Sequence, residues 1–130
     1  MLRRAFLSAL AISSLPGLAL AHGLEAGPHG GAVADATPGP DLHIEIVVKG
    51  KTVQVYIINE TGKPLLSAGV SGNVTVLANK KKTIVTLTQA GLDALSGTGD
   101  FESDPQMRAL VLLTVAGVEQ RALFSSLTGK

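Results

Sequence analysis

The chain has 130 residues with 11 basic and 10 acidic side chains, so its net charge of +1 offers no basic field for nucleic acid or an anionic membrane. It contains no cysteine, which excludes disulfides and cysteine-based zinc or redox sites within it. Hydrophobic residues make up 45% of the chain but aromatic ones only 3%, so we expect one domain with a modest aliphatic core.

The first residues have the pattern of an export signal. Arg3 and Arg4 form a short positive region, an apolar stretch follows, and Ala19-Leu20-Ala21 is an A-x-A cleavage signature. The stretch is too short and too interrupted for a good membrane span, which needs about 20 apolar residues. We therefore predict a signal peptide over residues 1–21, a periplasmic mature protein and no membrane span after cleavage. The general secretory and twin-arginine routes both remain open, and an uncleaved anchor is the alternative.

The next segment, residues 22–40, differs in composition from the rest of the mature chain. It contains five glycines and three prolines, and two of the chain's three histidines. Such a composition buries too little apolar surface to order itself. We predict a flexible arm over residues 22–40, unless a ligand or the folded domain holds it in place.

From residue 41 onward the sequence favours strands. Leu42, Ile44 and Ile46 alternate with more polar neighbours, a period of two that is typical of a strand with one face in the core. Similar apolar or β-branched runs recur at intervals near ten residues, separated by turn residues, and no convincing helix is present beyond one possible turn at 89–95. We predict an antiparallel immunoglobulin-like β-sandwich of about seven strands over residues 41–127. The predicted strands are 42–48, 52–58, 73–77, 83–88, 92–97, 109–115 and 118–124.

The three histidines, His22, His29 and His43, lie within one stretch of 22 residues. Cleavage after Ala21 would give His22 a free α-amine beside its imidazole. His43 and Glu45 are two apart on a predicted strand, so they share a face, and a glycine-rich arm can fold back to bring the other histidines beside them. Two or three imidazoles and a carboxylate suit Cu(II) or Zn(II), so we predict a divalent transition-metal site formed by these four residues.

Each of these residues also has a simpler explanation. His22 follows the cleavage site, His29 lies in an arm that needs no ligand, and His43 can hydrogen-bond across the sheet beside an exposed Glu45. Their clustering is what favours a metal site. No serine, aspartate and histidine show the spacing of a nucleophilic centre, and the sequence predicts no enzyme.

Two short resemblances concern copper chemistry. Pro28-His29-Gly30-Gly31 resembles the copper-binding unit of the prion octapeptide repeats, in which the imidazole and the amides of the following glycines bind Cu(II). An N-terminal His22 resembles the copper bracket of periplasmic copper carriers, which are also small sandwiches. These resemblances imply a way of binding the metal rather than common ancestry.

The mature sequence as a whole resembles a set of small bacterial periplasmic proteins. They share Pro-His-Gly-Gly, a His-x-Glu strand, a Gly-Lys-Pro turn and a small-residue segment, which correspond here to residues 28–31, 43–45, 62–64 and 67–69. Similar modules occur near or fused to heavy-metal efflux adaptors. The resemblance implies envelope metal buffering, carriage or efflux, with a metal ion and an efflux adaptor or other envelope protein as partners. The alternative is a structural or interaction domain of an envelope assembly that binds no metal.

Overall fold

The computed structural model describes residues 27–39, 41–61, 63–65, 67–125 and 127. Within them the regular structure is entirely β and every paired strand is antiparallel. None of these residues forms a helix with the length and hydropathy that a bilayer span requires. The strands are β1 Ala32–Asp35, β2 Leu42–Lys49, β3 Thr52–Asn59, β4 Ser71–Ala78, β5 Lys81–Gln89, β6 Leu95–Thr98, β7 Arg108–Val115 and β8 Val118–Phe124.

The strands form one sheet in the order β1-β2-β3-β6-β5-β4-β7-β8, and the two ends of the sheet approach each other. Just after β1, Thr37 and Arg121 form an antiparallel bridge in which each backbone amide donates to the other's carbonyl at 2.9 Å. The Gly39 amide then donates to Oε1 of Gln120 at 2.8 Å. The sheet is therefore nearly closed and barrel-like, with its seam between β1 and β8.

The all-β class predicted from the sequence is confirmed, but the seven-stranded immunoglobulin-like sandwich is not. Short β6 pairs with β3 on one side and with β5 on the other, which joins what would have been two separate sheets. β1 adds an eighth strand among the described residues. The helical turn considered at 89–95 is replaced by bends that lead into β6.

β1 lies inside the segment 22–40 that composition assigned to a flexible arm. Ala32 of β1 and Ala36 beyond it are buried in the core, and the strand pairs with β2 over four residues. Three of the four residues of β1 are alanine or aspartate, which are depleted in strands, so this strand leaves no clear signal in the sequence. The predicted start of the folded domain at residue 41 is therefore too late, although residues 1–26 lie outside the described part.

The core is formed by the inward faces of the strands and is almost wholly aliphatic. The predicted alternation along β2 is confirmed, since its inward residues Ile44 and Ile46 are buried. The residues of β2 and β3 that alternate with these inward residues point to the outer face of the sheet. The aliphatic side chains that are almost completely buried are Ile44, Ile46, Val53, Val55, Val74, Val76, Val85, Leu95, Val111 and Leu113.

Candidate metal centre

The predicted site residues of β2 lie on the outer face of the sheet. Register places Glu45 between Val33 of β1 and Tyr56 of β3 in one row across three strands. His43 lies in the neighbouring row, opposite Asp35 of β1. The expectation that His43 and Glu45 share a face opposite the core residues of β2 therefore agrees with the register.

Glu45 is fully buried, with 0% of its side chain exposed, although it faces away from the core. Its Oε2 accepts hydrogen bonds from the backbone amides of His29 and Gly31, each at 2.8 Å. Its Oε1 lies 2.8 Å from Nδ1 of His29. A buried carboxylate is strongly unfavourable unless hydrogen-bonded or paired, and these three contacts provide that compensation. The alternative of an ordinary exposed strand residue is wrong for Glu45.

The His29 imidazole is fixed by a second contact in addition to Glu45. Its ring stacks on Tyr56 with 3.6 Å between the ring centroids and 6° between the planes. The His29 side chain is 30% exposed, so one part of the ring remains open to solvent. The segment that carries His29 thus folds back over the outer face, as the arm length allowed, and places this ring beside Glu45.

Glycines make this close approach possible. A Cβ on Gly27 would lie 2.4 Å from Cδ of Glu45, and one on Gly31 would lie 2.1 Å from the carbonyl oxygen of Ile46. The turn between them is closed by hydrogen bonds from Gly30 N to Gly27 O at 2.9 Å and from Gly27 N to Gly31 O at 2.8 Å. The backbone therefore lies against β2 at distances that no other residue type would permit.

The same contacts occupy the atoms that a prion-type copper site would use. Nδ1 of His29 and the amide of Gly31 both contact Glu45, and the amide of Gly30 donates within its own turn. Copper wrapped by the imidazole and these amides would require the turn to leave the sheet. In this fold the contacts of Glu45 with His29 and Gly31, here called the lock, hold the loop against β2. A metal ion would have to approach the His29 ring from another side.

His43 is held by a carboxylate in the same manner. Its Nδ1 lies 2.8 Å from Oδ1 of Asp35, with 31% of the His43 side chain and 73% of the Asp35 side chain exposed. This contact agrees with the simpler explanation in which His43 hydrogen-bonds across the sheet. Sequence reasoning missed Asp35, because it lies in β1, which composition had placed in the arm.

The outer face around the histidines is also acidic. Burial, the charge of Asp93 and the charge of Glu45 together raise the pKa of Tyr56 above its ordinary value. Negative charge disfavours the tyrosinate and favours a cation at the same place. Asp93 and Tyr56 were not among the predicted site residues, and no spacing in the sequence connects them to the histidines.

Of the three predicted ligands that the structure describes, two meet directly and the third does not. His29 contacts Glu45, whereas His43 contacts Asp35 in the next row. Within the described residues, no group of three or more histidine, aspartate or glutamate side chains is placed to hold one ion. His22 and the predicted cleavage site lie outside the described residues.

Comparison of the chain with protein-family models, with curated proteins and with solved structures gives no match.

Proposed function

We propose that the mature chain is an exported, non-enzymatic β-barrel-like protein that binds a divalent transition metal, Cu(II) or Zn(II). The proposed ligands are the imidazoles of His29 and His43, with His22 as a further ligand on sequence grounds alone. Glu45, predicted as a ligand, is here assigned a supporting role because both of its oxygens are already engaged.

One observation carries most of this proposal. Each of the two described histidines contacts a carboxylate through Nδ1 and keeps about a third of its side chain exposed. Metal-binding histidines usually make such a contact with one ring nitrogen and bind the ion with the other. The acidic surroundings, with Asp35, Asp93 and the buried Glu45, favour a cation further.

The cellular role is proposed from the sequence pattern. The signal-like residues 1–21 and the resemblance to periplasmic proteins near efflux adaptors support metal buffering, carriage or efflux in the periplasm. The metal ion itself and an efflux adaptor or other envelope protein are the proposed partners. A two-histidine site that a third ligand completes would suit transfer, since a partner can supply or remove that ligand.

Calorimetric titration of residues 22–130 with Cu(II) and with Zn(II) tests the proposal. We expect binding clearly tighter than that of a free peptide of residues 22–31, and weaker binding in His29→Ala and His43→Ala. Glu102→Gln, an exposed acidic residue away from this face, is the matched control and should bind as the unaltered chain does. The absence of a heat of binding in the titrations with both ions would refute metal binding.

The second candidate function is a structural or interaction domain of an envelope assembly. The contacts of Glu45 with His29 and Gly31 favour it, because they account for these three residues through packing and hydrogen bonds alone. This function predicts that metal leaves the thermal midpoint unchanged. A rise in the midpoint with Zn(II) that disappears in His43→Ala would favour the metal site. His43 takes no part in the contacts between Glu45 and the loop, so its loss would remove a ligand without removing those contacts.

A further inference from the structure

We infer that Glu45 is a positioning residue that fixes the tautomer of His29, so that ions bind this ring only through Nε2 and never through Nδ1 and the glycine amides. The inference rests on the proposed metal-binding function and specifies the atoms used there. It concerns Nε2 of His29, the ring nitrogen that Glu45 does not contact.

The first step follows from what a carboxylate can do. An ionised carboxylate only accepts hydrogen bonds. Oε2 of Glu45 already accepts from the amides of His29 and Gly31, and Oε1 lies 2.8 Å from Nδ1 of His29. Nδ1 therefore carries the proton and donates it to Oε1. In the neutral imidazole the lone pair is then on Nε2, which is the only ring atom able to bind an ion.

The second step concerns the ring's orientation. A half-turn of the imidazole would place a carbon against Oε1 of Glu45 and lose the hydrogen bond. The stack on Tyr56, with 6° between the ring planes, also restricts the ring. In the part of the chain that the structure describes, no hydrogen bond engages Nε2 of His29, and the side chain is 30% exposed. Nε2 thus carries the lone pair of the neutral ring and takes no part in the contacts with Glu45.

His43 repeats the arrangement in a weaker form. Its Nδ1 lies 2.8 Å from Oδ1 of Asp35, which leaves Nε2 as the available ring nitrogen there as well. Asp35 is largely exposed, so water competes for its oxygens and its hold on the tautomer is looser than that of Glu45. The tautomer that leaves Nε2 available for an ion is therefore fixed more firmly in His29 than in His43.

The ligand class follows from these atoms. A site made of imidazole Nε2 atoms suits borderline ions such as Zn(II) and Cu(II), and it needs no deprotonated amide. An amide-wrapped Cu(II) would have to break the contacts of Glu45 with Nδ1 and with the Gly31 amide. The fold therefore selects imidazole coordination over the mode that the Pro-His-Gly-Gly sequence alone implies.

Glu45→Gln tests the tautomer directly. The introduced side-chain amide would present its oxygen to the backbone amides and its NH2 group to Nδ1, so His29 would have to accept there and carry its proton on Nε2. Nitrogen-15 NMR of the imidazole, recorded without metal, should show the Nδ1–H form in the unaltered chain and the Nε2–H form in the variant. Zn(II) affinity should fall about 10- to 100-fold in the variant, the usual effect of removing such a partner. Asp35→Asn should act more weakly on His43.

Three results would overturn the inference. The first is an Nε2–H tautomer of His29 in the unaltered chain, which needs no variant to fold. The second is a Cu(II) electron paramagnetic resonance spectrum with coordination by deprotonated amide nitrogen. The third is an unchanged Zn(II) affinity in Glu45→Gln together with a changed tautomer. The expected tautomer in a chain that binds neither ion would instead refute the proposed function and leave the tautomer assignment standing.

Discussion

The carboxylate of Glu45 contacts both the backbone amide and the ring nitrogen of His29, at 2.8 Å each, across 16 residues of sequence. One side chain thereby fixes the position of a loop and the orientation of the only imidazole in it. The Pro-His-Gly-Gly loop and the glutamate of the His-x-Glu strand are accordingly two halves of one structural unit. Substitutions in either half should affect the stability of the fold as well as any metal bound there.

Removal of the Glu45 carboxylate should destabilise the protein substantially. In Glu45→Ala the amides of His29 and Gly31 lose their acceptor, and the buried Gly31 amide cannot turn to water. We expect the free energy of unfolding to fall by about 3 kcal/mol, since each unsatisfied buried donor costs about 1–3 kcal/mol. Urea denaturation measures this change. Glu45→Gln keeps one acceptor oxygen and should lose less, so equal losses in the two variants would contradict the hydrogen-bond argument.

Two neighbouring glycines should differ in their tolerance of a side chain. A Cβ at Gly31 would meet the backbone oxygen of Ile46 at 2.1 Å, which cannot move without shifting β2. At Gly30 the space is open, and only the positive φ of 82° opposes alanine. We expect Gly30→Ala to cost about 1 kcal/mol and Gly31→Ala more, through overpacking against backbone. Thermal denaturation of both variants tests the order, and a milder effect at Gly31 would show that the turn does not pack against β2.

Tyr56 should ionise at higher pH than a free tyrosine. Burial, Asp93 and Glu45 raise the pKa of Tyr56 in the folded chain. The contribution of Tyr56 to the free energy of unfolding is therefore fully present below the unfolded pKa of about 10, and it is lost as the pH rises through the folded pKa. Because the chain has one tyrosine, absorbance at alkaline pH reports this group alone. Asp93→Asn should move the midpoint back toward the unfolded value. In Tyr56→Phe this part of the alkaline loss of stability should be absent.

The seam of the sheet should open before its centre does. Between β1 and β8 the described bridge is the single pair formed by Thr37 and Arg121, whereas β4 is paired along seven residues with each of its neighbours. Amide hydrogen exchange should therefore be faster at Thr37 and Arg121 than along β4. Equal protection at the seam and in β4 would mean that the barrel opens only by global unfolding.

Gln120, which lies beside the seam, allows a test of how much a side chain contributes to holding the seam closed. The Gly39 amide donates to the buried side chain of Gln120 at 2.8 Å. Gln120→Leu keeps a side chain of similar size but removes the acceptor, and it should cost about 1–2 kcal/mol. Exchange at Thr37 should quicken in this variant while β4 stays protected until global unfolding. Unchanged exchange at Thr37 would show that Gln120 does not hold the seam.

Much of the fold could be predicted because its strands alternate clearly. β8 has the predicted bounds, and the predicted core face of β2 is the buried one. β1 could not be predicted, since three of its four residues are alanine or aspartate and its stability comes from pairing with β2 and from the contacts of Glu45 with the preceding loop. Closure into a barrel depends on Thr37 meeting Arg121, and no local pattern specifies a contact 84 residues apart.

The candidate site was predictable only in part for a similar reason. The shared face of His43 and Glu45 follows from a period of two. The burial of Glu45 does not, because it is caused by a segment that approaches from outside the strand. Asp35 and Tyr56 join the site only through strand register, which a single sequence does not display.

The seam between β1 and β8 also sets an order of folding. The residues that hold the N-terminal segment are Glu45 and Tyr56 in the hairpin of β2 and β3, and Arg121 near the end of the chain. The contacts of this segment with Glu45 and Tyr56 can thus form as soon as the β2–β3 hairpin exists, whereas the bridge from Thr37 to Arg121 forms only after the final strand has been synthesised. During the proposed export, the backbone of Thr37 and Gly39 would therefore lack its β8 partners for as long as the barrel is incomplete.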